Sequence, residues 1–282
     1  MTRFPDLSSA ESKFERAKLH AHELLEDIRI WTEDQDDPPV RIGLEDDLKY
    51  CRTLAYAKSI KGIPPDWSLK LGDALHNYRS ALNYVAGELV LSGRTPAVFS
   101  DPNSKFQFPI CETTRKDFFN GRGVIRKSQL PGVQVKYLRA ISPLQPYKRG
   151  KSHWALPALK LLNDLDKHRN PILAAHHVAF QMAAVPLGYG DSPPVATFKS
   201  LRPRGRVKPG AKLAHLIWLT GQRPIILVPP YGPLLGKPDM TMYFTAPAAV
   251  VLEDLPSVRV VRNLIEAIDG LIEDVVRRVR LV

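Results

Sequence analysis

Two stretches of this sequence carry polar side chains in places where packing alone gives no reason for them. In the first, Asp73, His76, Asn77 and Arg79 stand among Leu71, Leu75, Tyr78, Leu82, Val85 and Leu89. In the second, Asp166, Lys167, His168 and Arg169 follow Trp154, Ala158, Leu161, Leu162 and Leu165. At the helical advance per residue, each apolar set forms one stripe. Arg79 falls at the edge of the first stripe, with His76 and Asn83 beside it. Asp73, Asn77, Ser80 and Tyr84 line the remaining flank, which lacks the Lys/Glu mixture of a solvated face and reads as covered. His168 and Arg169 continue the second stripe itself. A guanidinium on a core stripe is costly unless paired, so an acidic or phosphate-like group is expected to meet Arg169. Asp73 and Asp166 are partners available within the chain. The same residues therefore describe either a buried network tying two helices together or a site for an anionic ligand.

No other pattern carries comparable weight. There is no Gly-rich phosphate loop of Walker type, no dinucleotide fingerprint after a strand and no Cys/His zinc array; neither a metal nor a cofactor is expected. Phe119-Asn120-Gly121-Arg122-Gly123 reads as a plain turn. Pro203-Arg204-Gly205-Arg206 is similar to the core of a minor-groove AT-hook, but reads better as a solvated basic loop. Cys51 and Cys111 form no ligand pattern and read as two reduced thiols.

The elements that must position these residues follow from periodicity. Helices are expected over 8–30, 66–91, 152–170 and 256–280, with shorter ones near 114–119 and 133–141. Ser8-x-x-Glu11 is a capping box for the first. Asp66 is the expected N-cap of the second, and Pro256 a first-turn proline for the last. Glu273–Arg277 and Asp274–Arg278 are spaced as i,i+4 pairs on that helix. Alternation over 40–56, broken at Asp46-Asp47, predicts a hairpin. From 178 to 252 apolar runs at 195–198, 214–220, 225–228 and 240–245 are separated by Gly/Pro turns and read as strands. The fold class is thus α+β: a bundle of about four long helices with an N-terminal hairpin and a β-rich insertion before the C-terminal helix, as one domain over 1–282.

Composition agrees with a globular chain. Of 282 residues, 44% are hydrophobic and 24% charged, which disfavours wholesale disorder. No run approaches the length of a membrane span, and the N-terminus has no apolar signal region, so a cytoplasmic location and no membrane partner are expected. The net charge of +11 is concentrated. Arg122, Arg126 and Lys127 lie in a stretch, 115–151, whose one acid is Asp117, and Arg202, Arg204 and Arg206 in a stretch, 199–212, with none. Such clusters suit a polyanionic partner, since phosphate neutralisation releases counterions. RNA is the candidate partner, and a homodimer the candidate assembly.

Gly72-Asp73-Ala74-Leu75-His76-Asn77-Tyr78-Arg79-Ser80-Ala81-Leu82-Asn83-Tyr84, then Phe108-Pro109-Ile110, Leu144-Gln145-Pro146-Tyr147 and Asn163-Asp164-Leu165-Asp166-Lys167-His168-Arg169, together resemble a mostly actinobacterial family without an assigned activity. Its usual pattern is GDALHNLRSALDH, FPI, LQPY and NxxDKHR, covering about 66–175 here. That pattern is itself similar to the HEPN superfamily of helical bundles, many of which are metal-independent ribonucleases with an Arg-x(4 to 6)-His motif. This chain has Asn83-Tyr84 where the family has Asp-His, which breaks the first such motif. Arg169 and His176 form a second, Arg-x6-His, interrupted by Pro171. The resemblance implies an RNA-acting protein, of toxin or defence type. His168 or His176 would move the 2′-OH proton, and Arg79 and Arg169 would hold the phosphate. The alternative is a non-catalytic binding or interaction protein whose Arg/His/Asp cluster is structural. A small-molecule enzyme has no motif behind it.

Overall fold

The computed structural model describes residues 4–34, 37, 39–93, 106–112, 130–148, 154–166, 173–177, 181–185, 196–200, 209–218, 225–227, 241–245, 248–252 and 259–282. These form a mixed α and β protein. Its described helices are α1 (Ser8–Glu33), α2 (Asp66–Gly93), α3 (Val135–Ile141), α4 (Ala155–Asp166) and α5 (Val261–Arg280). An antiparallel hairpin of β1 (Val40–Asp47) and β2 (Arg52–Ile60) lies near the N-terminus. The residues group into two compact units.

The first unit comprises 1–25, 65–172 and 252–282 and is built on helices. α2 forms because apolar residues recur on one side of it; Leu71, Leu75, Tyr78, Leu82, Val85 and Leu89 are all fully buried. It packs on α4 and α5, and α3 and α4 also pack on α5. α5 buries Val261, Leu264, Ile265, Ile268, Leu271, Ile272, Val275 and Val279. Burial of such side chains contributes about 1.5–3 kcal/mol each, which is what fixes the helices against one another. α1 joins through Phe14, whose ring lies 6.1 Å from that of Tyr78. Gly72 allows α2 and α4 to approach: a Cβ there would overlap the Asp166 carboxylate.

Several local expectations are corrected. Asp6 opens α1 in place of the Ser8 capping box, its carboxylate accepting the Ser8 N–H at 3.1 Å, while Glu11 pairs with Arg280. α5 begins at Val261, after the short strand β10 (Arg259–Val260), so its first turn lies beyond Pro256. Of the two i,i+4 pairs expected on α5, Asp274–Arg278 forms at 2.9 Å, but Glu273 pairs with Lys18 at 3.1 Å and Arg277 turns to Asp274. α4 buries Ala155, Leu156, Ala158, Leu159, Leu162 and Asn163. Leu161, assigned to its core stripe, is 38% exposed, so the apolar face is rotated toward Leu156 and Leu159. The short helix expected at 114–119 lies outside the described residues.

The second unit comprises 26–64 and 173–251. β1 and β2 continue into β6 (Lys212–Trp218) and β5 (Ala196–Ser200) in the order β1-β2-β6-β5, all antiparallel. The hairpin turns at Leu48–Tyr50 and Cys51, whose φ of 44° closes the turn, one step later than Asp46-Asp47. Thr53, Ala55 and Ala57 are the buried phase of β2, leaving Leu54 and Tyr56 half-buried. A Cβ at Gly43 would overlap the Tyr56 ring, so glycine there admits the aromatic. β8 (Thr241–Thr245) lies between β4 (Gln181–Val185) and β7 (Ile225–Leu227), and β9 (Ala248–Leu252) beside β3 (Leu173–His177).

Candidate functional site

The motif segments of the helical unit converge on α2. Arg79 Nη2 donates to the Phe108 carbonyl at 3.1 Å, and one turn further on Asn83 Oδ1 accepts the Phe108 N–H at 3.1 Å. Segment 106–112, which is neither helix nor strand, is thereby held at both polar groups of one residue. Its other end is fixed from the loop after α3, where Gln145, fully buried, accepts the Cys111 N–H through Oε1 at 3.0 Å. The Tyr147 N–H returns a bond to the Cys111 carbonyl at 3.2 Å, and the Tyr147 and Ser142 hydroxyls are 2.6 Å apart. Phe108, Ile110 and Cys111 are buried as a result. A buried backbone group without a partner costs about 1–3 kcal/mol, so these side chains supply bonds that a segment outside any helix or sheet does not get from regular structure.

Arg79 is therefore at the edge of the stripe, as its spacing requires, but its bonded partner is a carbonyl. Burial pushes its guanidinium down from the usual range, against the pull of the exposed Asp164 carboxylate. Asp73 and His76 are exposed, so the described members of the expected buried cluster are not buried together. Burial first, and then Asp73, push the Asp166 carboxyl above the usual range, while His76 opposes the shift. His176 stands in strand β3, not on a helix continuing from Arg169. Lys167, His168, Arg169, Arg122, Arg126, Lys127, Arg202, Arg204 and Arg206 lie outside the described residues.

The flank of α2 expected to be covered instead faces an open groove against α1, with a volume of about 670 Å³. Asp73, Asn77 and Tyr84 line it from α2, and Ser9, Ser12, Lys13, Arg16 and His20 from α1. The Asp6 N–H donates to Glu88 at 3.1 Å; with the Phe14–Tyr78 ring contact this sets the two helices antiparallel. Continuing that register places Tyr84 level with Ser9, Arg16 with Asn77 and His20 with Asp73. Arg16 Nε donates to His20 Nε2 at 3.2 Å, which holds the imidazole beside the guanidinium. Asn77 Nδ2 is committed to the Asp73 carbonyl at 2.8 Å, leaving its Oδ1 as the groove-side acceptor. The groove thus offers cations at Lys13 and Arg16, an imidazole, a carboxylate and a half-exposed phenol.

The α1 half of this site was missed from sequence. Ser9, Ser12, Lys13, Arg16 and His20 do recur at helical spacing, but the same spacing describes any solvated helix face. In comparisons with protein-family models, curated proteins and solved structures, nothing matches the chain.

Proposed function

We propose that this is a HEPN-like, RNA-acting protein, its helical unit a bundle with a β-rich insertion before α5, and that the α1–α2 groove engages the RNA backbone. The observation that carries this reading is the placement of Lys13, Arg16 and His20 along one wall of an open groove, with Asp73, Asn77 and Tyr84 along the other. Two cations one turn apart suit successive phosphates. His20, beside Arg16 and level with Asp73, is the groove's acid/base group; in the ribonuclease form of the reading Arg16 turns from His20 Nε2 to the phosphate, which frees that nitrogen to take the 2′-OH proton, and the 2′-oxygen bonds to phosphorus as the 5′-oxygen leaves and takes a proton from water. The basic residues at 122–127 and 202–206 keep their proposed role of contacting the RNA backbone, while the proton-carrying and phosphate-holding roles expected of His168 and Arg169 pass in this reading to His20 and Arg16.

A second reading has its own observation. The bonds from Arg79, Asn83 and Gln145 to the 106–112 segment support a structural role for that constellation and a binding protein without turnover. One experiment separates the two: incubation of labelled RNA with the whole chain in EDTA, with binding followed in parallel. The ribonuclease form expects products ending in 2′,3′-cyclic phosphate or 3′-phosphate, abolished by His20→Ala. The binding form expects association without cleavage, weakened by Arg16→Ala. Absence of both contradicts the RNA reading.

A further inference from the structure

We infer that the α1–α2 groove selects single-stranded RNA, with an unpaired base stacked on Tyr84. This deepens the RNA reading above and rests on it. Tyr84 is 46% exposed in the middle of α2, a helix whose neighbouring aromatic, Tyr78, is fully buried and bonded to Asp269 at 2.6 Å. Its ring lines a groove whose remaining described lining is polar, and it stands at the Ser9 end of that groove. The cations stand further along, at Lys13 and Arg16, and the His20–Asp73 level lies beyond them.

This order, a ring followed by cations, is the arrangement by which single strands are held, with bases on π-faces and the backbone on positive charge. A duplex presents its bases already stacked and paired, so a ring of this kind gains nothing from it. From Tyr84 to Asp73 the groove follows eleven residues of helix, about 16 Å at 1.5 Å per residue. At a stacked spacing of about 3.4 Å per nucleotide that length holds at most about five nucleotides. Asp73 accepts only and the Asn77 side chain presents Oδ1, so the far end recognises donor groups, such as an amino group on an unpaired base or a 2′-OH.

The test uses the whole chain and fluorescein-labelled RNA of mixed sequence, as a single strand and as the same strand annealed to its complement. Anisotropy titrations should show the single strand bound at least about tenfold more tightly. Tyr84→Ala should weaken single-strand binding by roughly tenfold or more, in the range found for loss of a base–aromatic stack. It should leave the salt slope unchanged, and Tyr84→Phe should restore affinity because the face, not the hydroxyl, is used. Arg16→Ala should instead lower the salt slope. Equal affinity for strand and duplex, with Tyr84→Ala like wild type and Arg16 still setting the slope, would overturn single-strand selection while leaving the RNA reading intact. Binding to neither form would overturn both.

Discussion

Replacing Arg79 by alanine tests whether the most conspicuous polar residue of α2 is a brace or a ligand group. Among the described residues the guanidinium makes one charge-assisted bond, Nη2 to the Phe108 carbonyl at 3.1 Å, of a kind that contributes about 1.5–3 kcal/mol. Phe108 is fully buried, so its carbonyl loses a partner that water does not readily replace. Against this, burial lowers the guanidinium's basicity, and removing the cation relieves part of that desolvation cost. Asp164 is exposed and its attraction is screened. The net loss is therefore about 1–3 kcal/mol, below the 3–5 kcal/mol of a broken buried ion pair. For a protein of this size it corresponds to roughly 2–10 °C in Tm. Thermal melts of wild type and Arg79→Ala, with RNA titrations on the same preparations, give the answer. The reasoning is refuted by an unchanged melt, or by an unchanged melt accompanied by lost RNA binding, which would return Arg79 to the ligand site.

Other expected outcomes follow from the same packing. Gln145→Leu should lower stability by about 1–3 kcal/mol, since it removes the Oε1 acceptor from the buried Cys111 N–H; a melt like wild type would show that the side chain does not hold the segment. Asp269 accepts from Tyr78 at 2.6 Å, and burial raises its carboxyl above the usual range against the Tyr78 bond and Lys18, with Glu273 and Glu15 also facing it. The folded state then binds more protons than the unfolded one, so this group's contribution is fully present below about pH 3.9 and is lost as pH rises through the folded value. Asp269→Asn keeps an acceptor for Tyr78 and removes the charge, so its Tm advantage over wild type should grow as pH rises through that window and vanish below it. Melts that run parallel from pH 3 to pH 8 would contradict this.

Much of the helical unit was legible in the sequence because its signal is local. Leu71 to Leu89 and Val261 to Val279 repeat at helical spacing and are buried as that spacing requires. The strands β5 to β8 coincide with apolar runs that Gly and Pro residues separate in the sequence. What was not legible depends on partners distant in sequence. Glu273 finds Lys18, not Arg277, because α1 lies alongside α5. Arg79 finds a carbonyl because Phe108 is brought to it, and nothing in the residue's own helix distinguishes that from a carboxylate partner. In α4 the short stripe allowed two phases, and Leu161 took the exposed one. The groove was half-legible: Asp73, Asn77 and Tyr84 were recognised as one flank, while its opposite wall on α1 looked like ordinary solvated helix.

The most direct test of the central proposal is the salt dependence of RNA binding by wild type and by the double variant Lys13→Ala/Arg16→Ala. Each phosphate contact to a single strand contributes about 0.7 to the slope of log Kobs against log salt concentration. Removal of both groove cations should lower the slope by about 1.4 and weaken binding most at low salt, with the melt unchanged because Arg16 is exposed and Lys13 only half-buried. An unchanged slope in a folded double variant would contradict the assignment of the α1–α2 groove as the RNA-binding surface.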